Sequence, residues 1–260
     1  MTPGFREFEF DLPQALLSNL ISIFDHMDGA PLTPENLIQI PDAQGVYQLC
    51  LRDELVYIGK TDGEAGLRKR LERHAWTIQH RRNLEPEEVK FKALRVFVFT
   101  AVDLETQLIN HYRSNARVSW NNSGFGSNDP GRNRDDTRAK AGSFDALYPI
   151  DLDRQVLLEI RSPVRISDLM VALKRVLPYT VRVQPAATNS RKLHPDFDDL
   201  RVTLPEDGPF TTRSIFTELL KSLPPGWQST LLAGRIILYK ENRGYPYGEV
   251  IARSPQLKAK

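Results

Sequence analysis

The sequence predicts an α+β protein in which a small mixed β-sheet flanked by helices is followed by a smaller α+β C-terminal domain. Three observations predict this fold. Helix and strand patterns alternate in the first part of the chain in the order helix, hairpin, helix, strand, helix. A polar stretch, residues 120–138, then interrupts the hydrophobic periodicity. Strand and helix patterns alternate again after it, so we expect two domains, residues 1–146 and residues 147–260.

The bulk composition is that of a globular protein. The 260 residues suffice for two modest hydrophobic cores, and a hydrophobic content of 40% with a charged content of 26% is ordinary. The start of the chain lacks the pattern of a secretory signal, and no apolar run approaches the roughly 20 residues of a membrane helix. A single cysteine, Cys50, excludes an intramolecular disulfide and a cysteine-based zinc site. We expect a cytoplasmic protein with no membrane association.

Each element of the first domain follows from hydrophobic spacing. Apolar residues three and four apart predict a helix from Ala15 to Met27, with Asp11 able to cap it. Two β-rich runs, Gly45–Leu51 and Leu55–Ile58, flank a short polar segment and predict a hairpin. The remaining elements are, in chain order, a helix from Gly66 to Arg82, a strand from Val89 to Thr100 and a helix from Asp103 to Tyr112.

The second domain shows strand and helix patterns but no recognisable chemistry. Ser167 and Thr211 can each cap a helix that ends in Leu-Pro, which indicates either a duplicated β-α-β unit or chance. No metal-ligand spacing, phosphate loop or nucleophile arrangement is present in it. The predicted elements are strands at 155–160, 179–184, 200–204 and 229–240 and helices at 167–177 and 211–223.

The candidate chemistry begins on the predicted hairpin. Gly45-Val46-Tyr47 lies on its first strand and Tyr57-Ile58-Gly59 on its second, so the two tyrosines can project toward one region if the strand register allows it. A tyrosine in a strand is usually a packing residue. A basic helix follows, however, on which Arg70 and His74 are spaced i, i+4 and therefore share one face.

Two further polar residues follow in order. Glu105 falls in the first turn of a predicted helix, where an acid either stabilises the helix dipole or binds a metal. Asn121 begins the polar stretch, where asparagine is usually a turn former. Each residue has an ordinary structural explanation by itself, and only the ordered set favours a catalytic site.

In motif order the chain resembles the GIY-YIG nuclease superfamily. The resemblance covers about Leu12 to Thr137, and two segments, Val56–Thr61 and Gly124–Gly131, are more narrowly similar to its type II restriction endonuclease branch. Val46 replaces the family's isoleucine, which is chemically conservative. Extra residues before Asn121 leave Asn122 as an alternative, and Arg68 is an alternative to Arg70. The matching set is Gly45-Val46-Tyr47, Tyr57-Ile58-Gly59, Arg70, His74, Glu105 and Asn121.

The resemblance implies a metal-dependent endonuclease that hydrolyses double-stranded DNA, as a sequence-specific type II restriction enzyme. The alternatives are a structure-directed repair or mobile-element nuclease and a catalytically inactive DNA-binding module. The family implies one Mg²⁺ per active site, which Mn²⁺ can replace, with Glu105 as its ligand. It also implies a homodimer acting on a palindrome and a cognate DNA methyltransferase in the cell.

The resemblance also implies a role for each remaining residue. Tyr47 would orient or deprotonate the attacking water, which requires its pKa to fall below about 10; Lys60, His74 and the DNA-bound metal are the candidate causes. Arg70 would clamp the scissile phosphate. Tyr57 and His74 would bind the phosphate or relay a proton, and Asn121 would fix the active-site geometry.

DNA contacts must come from local charge, because the net charge is only +2. Basic residues crowd the helix that begins near Gly66 and recur in the polar stretch and just after it, which indicates phosphate binding, with solubility as the alternative explanation. The residues expected to bind DNA are Lys60, Arg68, Lys69, Arg132 and Arg134.

Overall fold

The computed structural model describes residues 4–97, 104–113, 118–121, 123–125, 129–188, 190, 192–205 and 209–256. Within these ranges the chain forms seven α-helices and twelve strands, which confirms the α+β class. The chain divides into two compact units, one of residues 1–75 and 85–121 and the other of residues 76–84 and 122–260. None of the helices in the described ranges is long and apolar enough to cross a membrane.

The first unit follows the predicted order of elements. The N-terminal helix begins after Asp11, whose Oδ1 accepts a hydrogen bond of 2.9 Å from the backbone N–H of Gln14, as the capping pattern predicts. The predicted strand residues 98–100 and the predicted helix start at Asp103 lie outside the described residues. The elements are α1 (Leu12–His26), β1 (Ala30–Pro31), α2 (Pro34–Leu37), β2 (Gly45–Leu51), β3 (Glu54–Thr61), α3 (Leu67–Gln79), β4 (Val89–Arg95) and α4 (Leu104–Arg113). The last turn of α3, from residue 76 on, is assigned to the second unit.

The sheet of the first unit is antiparallel throughout, so the prediction of a mixed sheet is wrong here. Its strand order is β1-β4-β2-β3. Arg52 and Asp53 both take left-handed backbone angles, with φ of 52° and 67°, and form the tight turn that joins β2 to β3. The chain after α3 returns as β4 in the same direction as β3. It pairs with β2 rather than with β3, and the pairing is therefore antiparallel.

The two faces of this sheet carry different side chains. Val46 and Ile58 belong to a hydrophobic cluster with residues of α1 and α4. Because side chains alternate along a strand, Tyr47 and Tyr57 project from the opposite face. The register supports this, since Tyr47 lies opposite Gly59 and Tyr57 opposite Leu49. The other members of the cluster are Leu17, Leu20, Phe24, Val96, Leu108 and Val118.

The second unit contains a mixed sheet of order β12-β10-β11-β7, in which β7 is parallel to β11. Two short antiparallel pairs, β5 with β9 and β6 with β8, accompany it. Buried apolar residues of α6 and α7, such as Leu173 and Phe216, pack with Ile236 of the sheet. The elements are α5 (Phe144–Leu147), β5 (Gln155–Val156), β6 (Val164–Arg165), α6 (Ile166–Val176), β7 (Thr180–Val183), β8 (Arg201–Val202), β9 (Phe210–Thr211), α7 (Thr212–Ser222), β10 (Trp227–Leu232), β11 (Arg235–Lys240) and β12 (Glu249–Arg253).

Several predictions for the second unit are wrong in detail. The strand predicted over residues 229–240 is a hairpin that turns at Gly234, whose φ of +74° favours glycine. The strand β12 was not predicted, because its pairing with β10 is not a local pattern. Thr211 caps α7 in a capping box with Ser214, but Ser167 lies inside α6, which begins after Arg165 without a side-chain cap.

The division of the chain also differs from the predicted boundary after residue 146. Residues 76–84 and 122–146 belong to the second unit, which therefore contains the larger share of the chain. A buried ion pair explains part of this grouping, because Nη1 of Arg81 lies 2.7 Å from Oδ1 of Asp145. The backbone of Arg81 also bridges to Ile150. Both contacts involve residues that a local hydrophobic pattern does not connect.

Candidate active site

The hydroxyl of Tyr47 is the centre of a buried polar cluster. It lies 2.8 Å from Nε2 of His74 and accepts a long hydrogen bond of 3.4 Å from Nε of Arg70. Tyr57 completes the cluster, with its ring centre 6.1 Å from that of Tyr47 and 5.3 Å from that of His74. Arg70 and His74 are one turn apart on α3, so the helix presents both to the same hydroxyl.

Glycines make this packing possible. A Cβ atom on Gly59 would lie 2.3 Å from the hydroxyl oxygen of Tyr47, much closer than two such atoms can approach. A Cβ atom on Gly45 would lie 2.3 Å from the backbone oxygen of Leu94. At both glycines, in the Gly-Val-Tyr and in the Tyr-Ile-Gly motif, the neighbouring atoms therefore leave no room for a side chain.

Asn121 binds the backbone of the strand that carries Tyr57. Its Oδ1 accepts a hydrogen bond of 2.9 Å from the N–H of Ile58, and its Nδ2 donates one of 2.9 Å to the carbonyl of the same residue. The alternative residue, Asn122, lies outside the described residues. Asn121 therefore acts on the site by holding β3 in place.

Replacing Asn121 by alanine is expected to destabilise the protein by about 1–3 kcal/mol, because both backbone groups of Ile58 lose their partner. The comparison is Asn19→Ala, which removes an exposed amide bonded to the carbonyl of Ala15 on α1 and should change stability by less than about 0.5 kcal/mol. Urea unfolding measures both. Equal effects of the two substitutions would contradict the positioning role of Asn121.

The ionisation states of Tyr47 and His74 follow from their burial. Burial raises the pKa of Tyr47 above its usual range, and Tyr57 adds to the shift while Arg70 opposes it. Burial lowers the pKa of His74 to about 3, and the guanidinium groups of Arg70 and Arg73 contribute. Both residues are neutral at pH 7. The shift of Tyr47 in the protein alone is thus opposite in sign to the lowering expected from the sequence.

With both groups neutral, the direction of the Tyr47–His74 hydrogen bond depends on which nitrogen of the imidazole carries its proton. An arginine can only donate, so the oxygen of Tyr47 accepts from Arg70. In the tautomer with an unprotonated Nε2, His74 accepts the hydroxyl proton of Tyr47, and in the other tautomer its Nε2–H donates to the Tyr47 oxygen. The first tautomer allows proton transfer from Tyr47 to His74 over this 2.8 Å contact, but the burial of both groups disfavours the charges that such a transfer creates.

Protein stability is expected to decrease as the pH falls below about 6.5, the ordinary pKa of histidine. The folded-state pKa of His74 is about 3, so between these values only the unfolded chain binds this proton. One such group contributes a slope of up to ~1.4 kcal/mol per pH unit. Burial also lowers the pKa of His80, so the wild-type slope contains both contributions. Urea unfolding over a pH series should show a shallower slope for His74→Gln, and an unchanged slope would contradict the assignment.

Lys60 and Glu105 lie on the α4 side of the sheet. Lys60 is exposed and pairs with Val46, so its side chain leaves β3 on the face that packs against α4. Glu105 is half-buried in the first turn of α4, and α4 contacts β3. The structure therefore places these two residues beside the strand of Tyr57 but on its other face.

The donor chemistry of Glu105 fits Mg²⁺. Within the described residues there is no group of three or more histidine, cysteine, aspartate or glutamate side chains that could hold a metal. Zn²⁺ generally needs three or four protein ligands, whereas Mg²⁺ is often held by one or two carboxylates and retains several waters. A single partly exposed carboxylate is thus compatible with the expected ion.

The basic residues on α3 divide into two groups. Arg70 contacts Tyr47, as described above. Arg68 and Lys69 instead face Asp42, with N···O distances of 3.6 Å and 3.0 Å. Of the two alternative arginines, the structure therefore places Arg70 in the cluster. Arg68 and Lys69 are partly exposed but share a neighbouring carboxylate, which offsets part of their charge.

Arg132 and Arg134 belong to the second unit and lie on a loop fixed by Asp135. The Asp135 carboxylate is almost fully buried and accepts from Arg182 at 2.7 Å and from Arg235 at 2.9 Å. Arg132 and Arg134 are exposed beside this anchor. The sequence gives no sign of this role for Asp135, since no local signal separates it from the neighbouring acids. Residues 126–128 of the polar stretch lie outside the described residues.

The same polar stretch contributes buried residues to the cores. Trp120 and Phe125 are buried despite their polar neighbours. The ring centre of Phe125 lies 4.7 Å from that of Phe144. The aromatic residues Trp120 and Phe125 are therefore the feature of the sequence that indicates burial of parts of this polar stretch.

Four of the predicted site residues meet at one hydroxyl: Tyr47, Tyr57, Arg70 and His74. Asn121 supports their strand, while Lys60 and Glu105 lie across the sheet. A comparison with protein-family models finds no family that matches the chain, and a comparison with curated proteins finds no similar protein.

Proposed function

We propose that this protein is a metal-dependent endonuclease that hydrolyses the phosphodiester bonds of double-stranded DNA, with the site arrangement of the GIY-YIG superfamily. The observation that carries the proposal is the hydroxyl of Tyr47 held between Arg70 and neutral His74. A tyrosine needed only for packing requires neither a histidine nor an arginine at its hydroxyl. The exclusion of a Cβ atom at Gly59 shows that the fold accommodates this hydroxyl closely.

The chemistry of phosphodiester hydrolysis suits these groups. The reaction needs a base for the attacking water and positive charge near the phosphoryl oxygens. Arg70 is half-buried and can offer its planar guanidinium to a phosphate. Tyr47 can take the proton of the water while it passes its own proton to His74, along the 2.8 Å contact.

Bound DNA would favour this transfer. An anionic phosphate beside the cluster stabilises a protonated histidine, since opposite charges favour the charged form. The pKa of His74 would then rise from its value of about 3 in the protein alone. The base is thus inactive without substrate and becomes effective when the phosphate binds.

Glu105 would hold the Mg²⁺ ion, or Mn²⁺ in its place. The ion, when bound, would supply positive charge to a phosphate that lies at the edge of the sheet, where β3 alone separates the α4 face from the face of Tyr47. The position of Glu105 in the first turn of α4 leaves its carboxylate partly exposed, as a ligand for an exchangeable hydrated ion requires. Lys60, which is exposed on the same side of the sheet, would add charge for DNA binding.

We further propose a type II restriction activity at a short palindromic site, carried out by a homodimer, with a DNA methyltransferase protecting the host sequence in the cytoplasm. A two-fold symmetric protein matches a two-fold symmetric DNA site. The motif order and the segments Val56–Thr61 and Gly124–Gly131 support this more specific proposal.

The direct test is incubation of purified protein with a sequenced plasmid and Mg²⁺ at low salt. Discrete fragments, with the same ends from circular and linear DNA, would support sequence-specific cleavage. Cutting confined to flaps or junctions would indicate a structure-directed nuclease. If the DNA stays intact while the protein still binds it, the chain is a binding module and the enzymatic proposal is wrong.

The Glu105→Gln substitution is expected to reduce cleavage by at least about 100-fold, since a bound metal contributes several kcal/mol to such reactions. The affinity of this variant for DNA, measured without Mg²⁺, should equal that of the wild-type protein. The matched control is Glu72→Gln, which changes an exposed glutamate on α3 and should leave cleavage unchanged. Equal cleavage by both variants would exclude Glu105 as the metal ligand.

A further inference from the structure

The second unit contains a cleft of about 810 Å³. Four separate parts of the chain form it: the loop of Arg132, the end of α6, Tyr239 of β11, and β7 with the described residues between it and His194. The strand β7 lies at the edge of its sheet and forms one wall. The pairing of Pro185 with Leu193 holds the two ends of the segment after β7 together.

The cleft concentrates positive charge. Within the described part of the chain, four lysine or arginine side chains and one carboxylate line it, whereas the whole chain has a net charge of only +2. His194 also lines it, and so do polar side chains including Gln184 and Ser190. The four cationic residues are Arg132, Lys174, Arg182 and Lys192, and the carboxylate is that of Asp129.

Three of these cations remain available to a ligand. The charge of Arg182 is compensated, because it pairs with Asp129 and with the buried Asp135. Lys174 and Lys192 are exposed, and neither forms an ion pair within the described residues. The Arg132 side chain is 59% exposed, and its one contact with Glu241 is long, with 3.4 Å between Nη2 and Oε2. Arg132 can therefore exchange this partner for an anionic ligand.

Arg132 is also held in position. Its guanidinium carbon lies 4.4 Å from the ring centre of Tyr239. The loop that carries it is fixed by the buried carboxylate of Asp135. A cation that is both exposed and held in one orientation loses little conformational entropy when it binds an anion.

We propose that this cleft binds the phosphate backbone of duplex DNA, with Arg132, Lys174 and Lys192 as the contacts. The inference rests on the proposed function, which supplies DNA as the substrate. Small-molecule sites of similar volume bury their ligands among apolar and aromatic side chains. Here the three available cations line the cleft, are exposed to solvent and come from three segments, an arrangement suited to an extended, hydrated polyanion.

The test uses the full chain, a short fluorescent DNA duplex and Ca²⁺ in place of Mg²⁺, with affinity measured over a series of salt concentrations. The slope of log K against log salt falls by about 0.9 for each phosphate contact that is lost. The double variant Lys174→Gln/Lys192→Gln should therefore lose close to two units of slope and bind more weakly. The control Lys221→Gln removes an exposed lysine that pairs with Glu218 on α7 and should keep the wild-type slope.

The outcomes separate this inference from the proposed function. If the wild-type protein cuts DNA but the double variant keeps the wild-type slope, the cleft assignment is wrong and the nuclease proposal stands. If the protein binds DNA with the expected change in slope but cuts none, the nuclease proposal fails and the cleft assignment stands. Absence of DNA binding by the wild-type protein would overturn the cleft assignment. A change in slope for duplex RNA but not for DNA would overturn it as well.

Discussion

Replacing Tyr47 by phenylalanine is expected to reduce the rate of DNA cleavage by about 10²- to 10⁴-fold, the usual contribution of a positioned acid or base. Phenylalanine keeps the ring that packs beside Tyr57 and His74. It removes only the oxygen that joins Arg70 to His74. Single-turnover cleavage of a defined duplex measures the chemical step directly, and DNA affinity without Mg²⁺ should be little changed.

The control for this prediction is Tyr112→Phe. It also removes a tyrosine hydroxyl in the first unit, one that donates to Asp25 over 2.7 Å on the α1 side of the sheet. Cleavage by this variant should match the wild type. Tyr47→Phe should also cost about 1–3 kcal/mol of stability, because the Nε2 atom of buried His74 loses its hydrogen bond to Tyr47. Wild-type cleavage by a folded Tyr47→Phe protein would rule out the proposed base.

The Gly59→Ala substitution is expected to affect both stability and cleavage. The new methyl group would lie 2.3 Å from the oxygen of Tyr47 and 2.4 Å from its Cζ atom, and the fully buried ring has little room to move. Overpacking of this kind costs about 1–3 kcal/mol. Displacement of the ring should also break the 2.8 Å contact with His74, so cleavage should fall toward the level of Tyr47→Phe.

A matched control for Gly59→Ala lies four residues further along. An alanine Cβ at Gly63 would meet no heavy atom within 4 Å, so Gly63→Ala should be close to wild type in both measurements. The double variant Tyr47→Phe/Gly59→Ala should cut no more slowly than the slower single variant, since both changes remove the same contact. If Gly59→Ala lowers stability but leaves cleavage intact, Gly59 matters for packing alone.

The central cluster could be predicted because its spacing is local. A short hairpin places Tyr47 and Tyr57 on one face once its turn is fixed at Arg52 and Asp53. A helix places residues four apart on one side, and this spacing brings Arg70 and His74 to the same hydroxyl. The sequence alone left Arg68 as an alternative, and only the contact with Asp42 separates the two arginines.

Features that depend on distant residues could not be predicted in this way. The strand β4 pairs with β2 rather than with β3, and periodicity carries no information about the pairing partner. The pKa of Tyr47 rises because the residue is buried, which is a property of the assembled unit. The ion pairs of the buried Asp135 also exist only in the assembled unit, because its two arginine partners lie about 50 and 100 residues further along the chain.

The amide of Asn121 has a second consequence, for how copies of this chain can associate. The strand β3 is the outermost strand of its sheet, and such a strand offers unpaired backbone groups to which another chain can add. Asn121 occupies both backbone groups of Ile58, and the N–H of Trp120 binds the carbonyl of Val56. A homodimer therefore cannot extend this sheet through the middle of β3 without first displacing Asn121. Loss of that amide would expose a site for strand addition and aggregation.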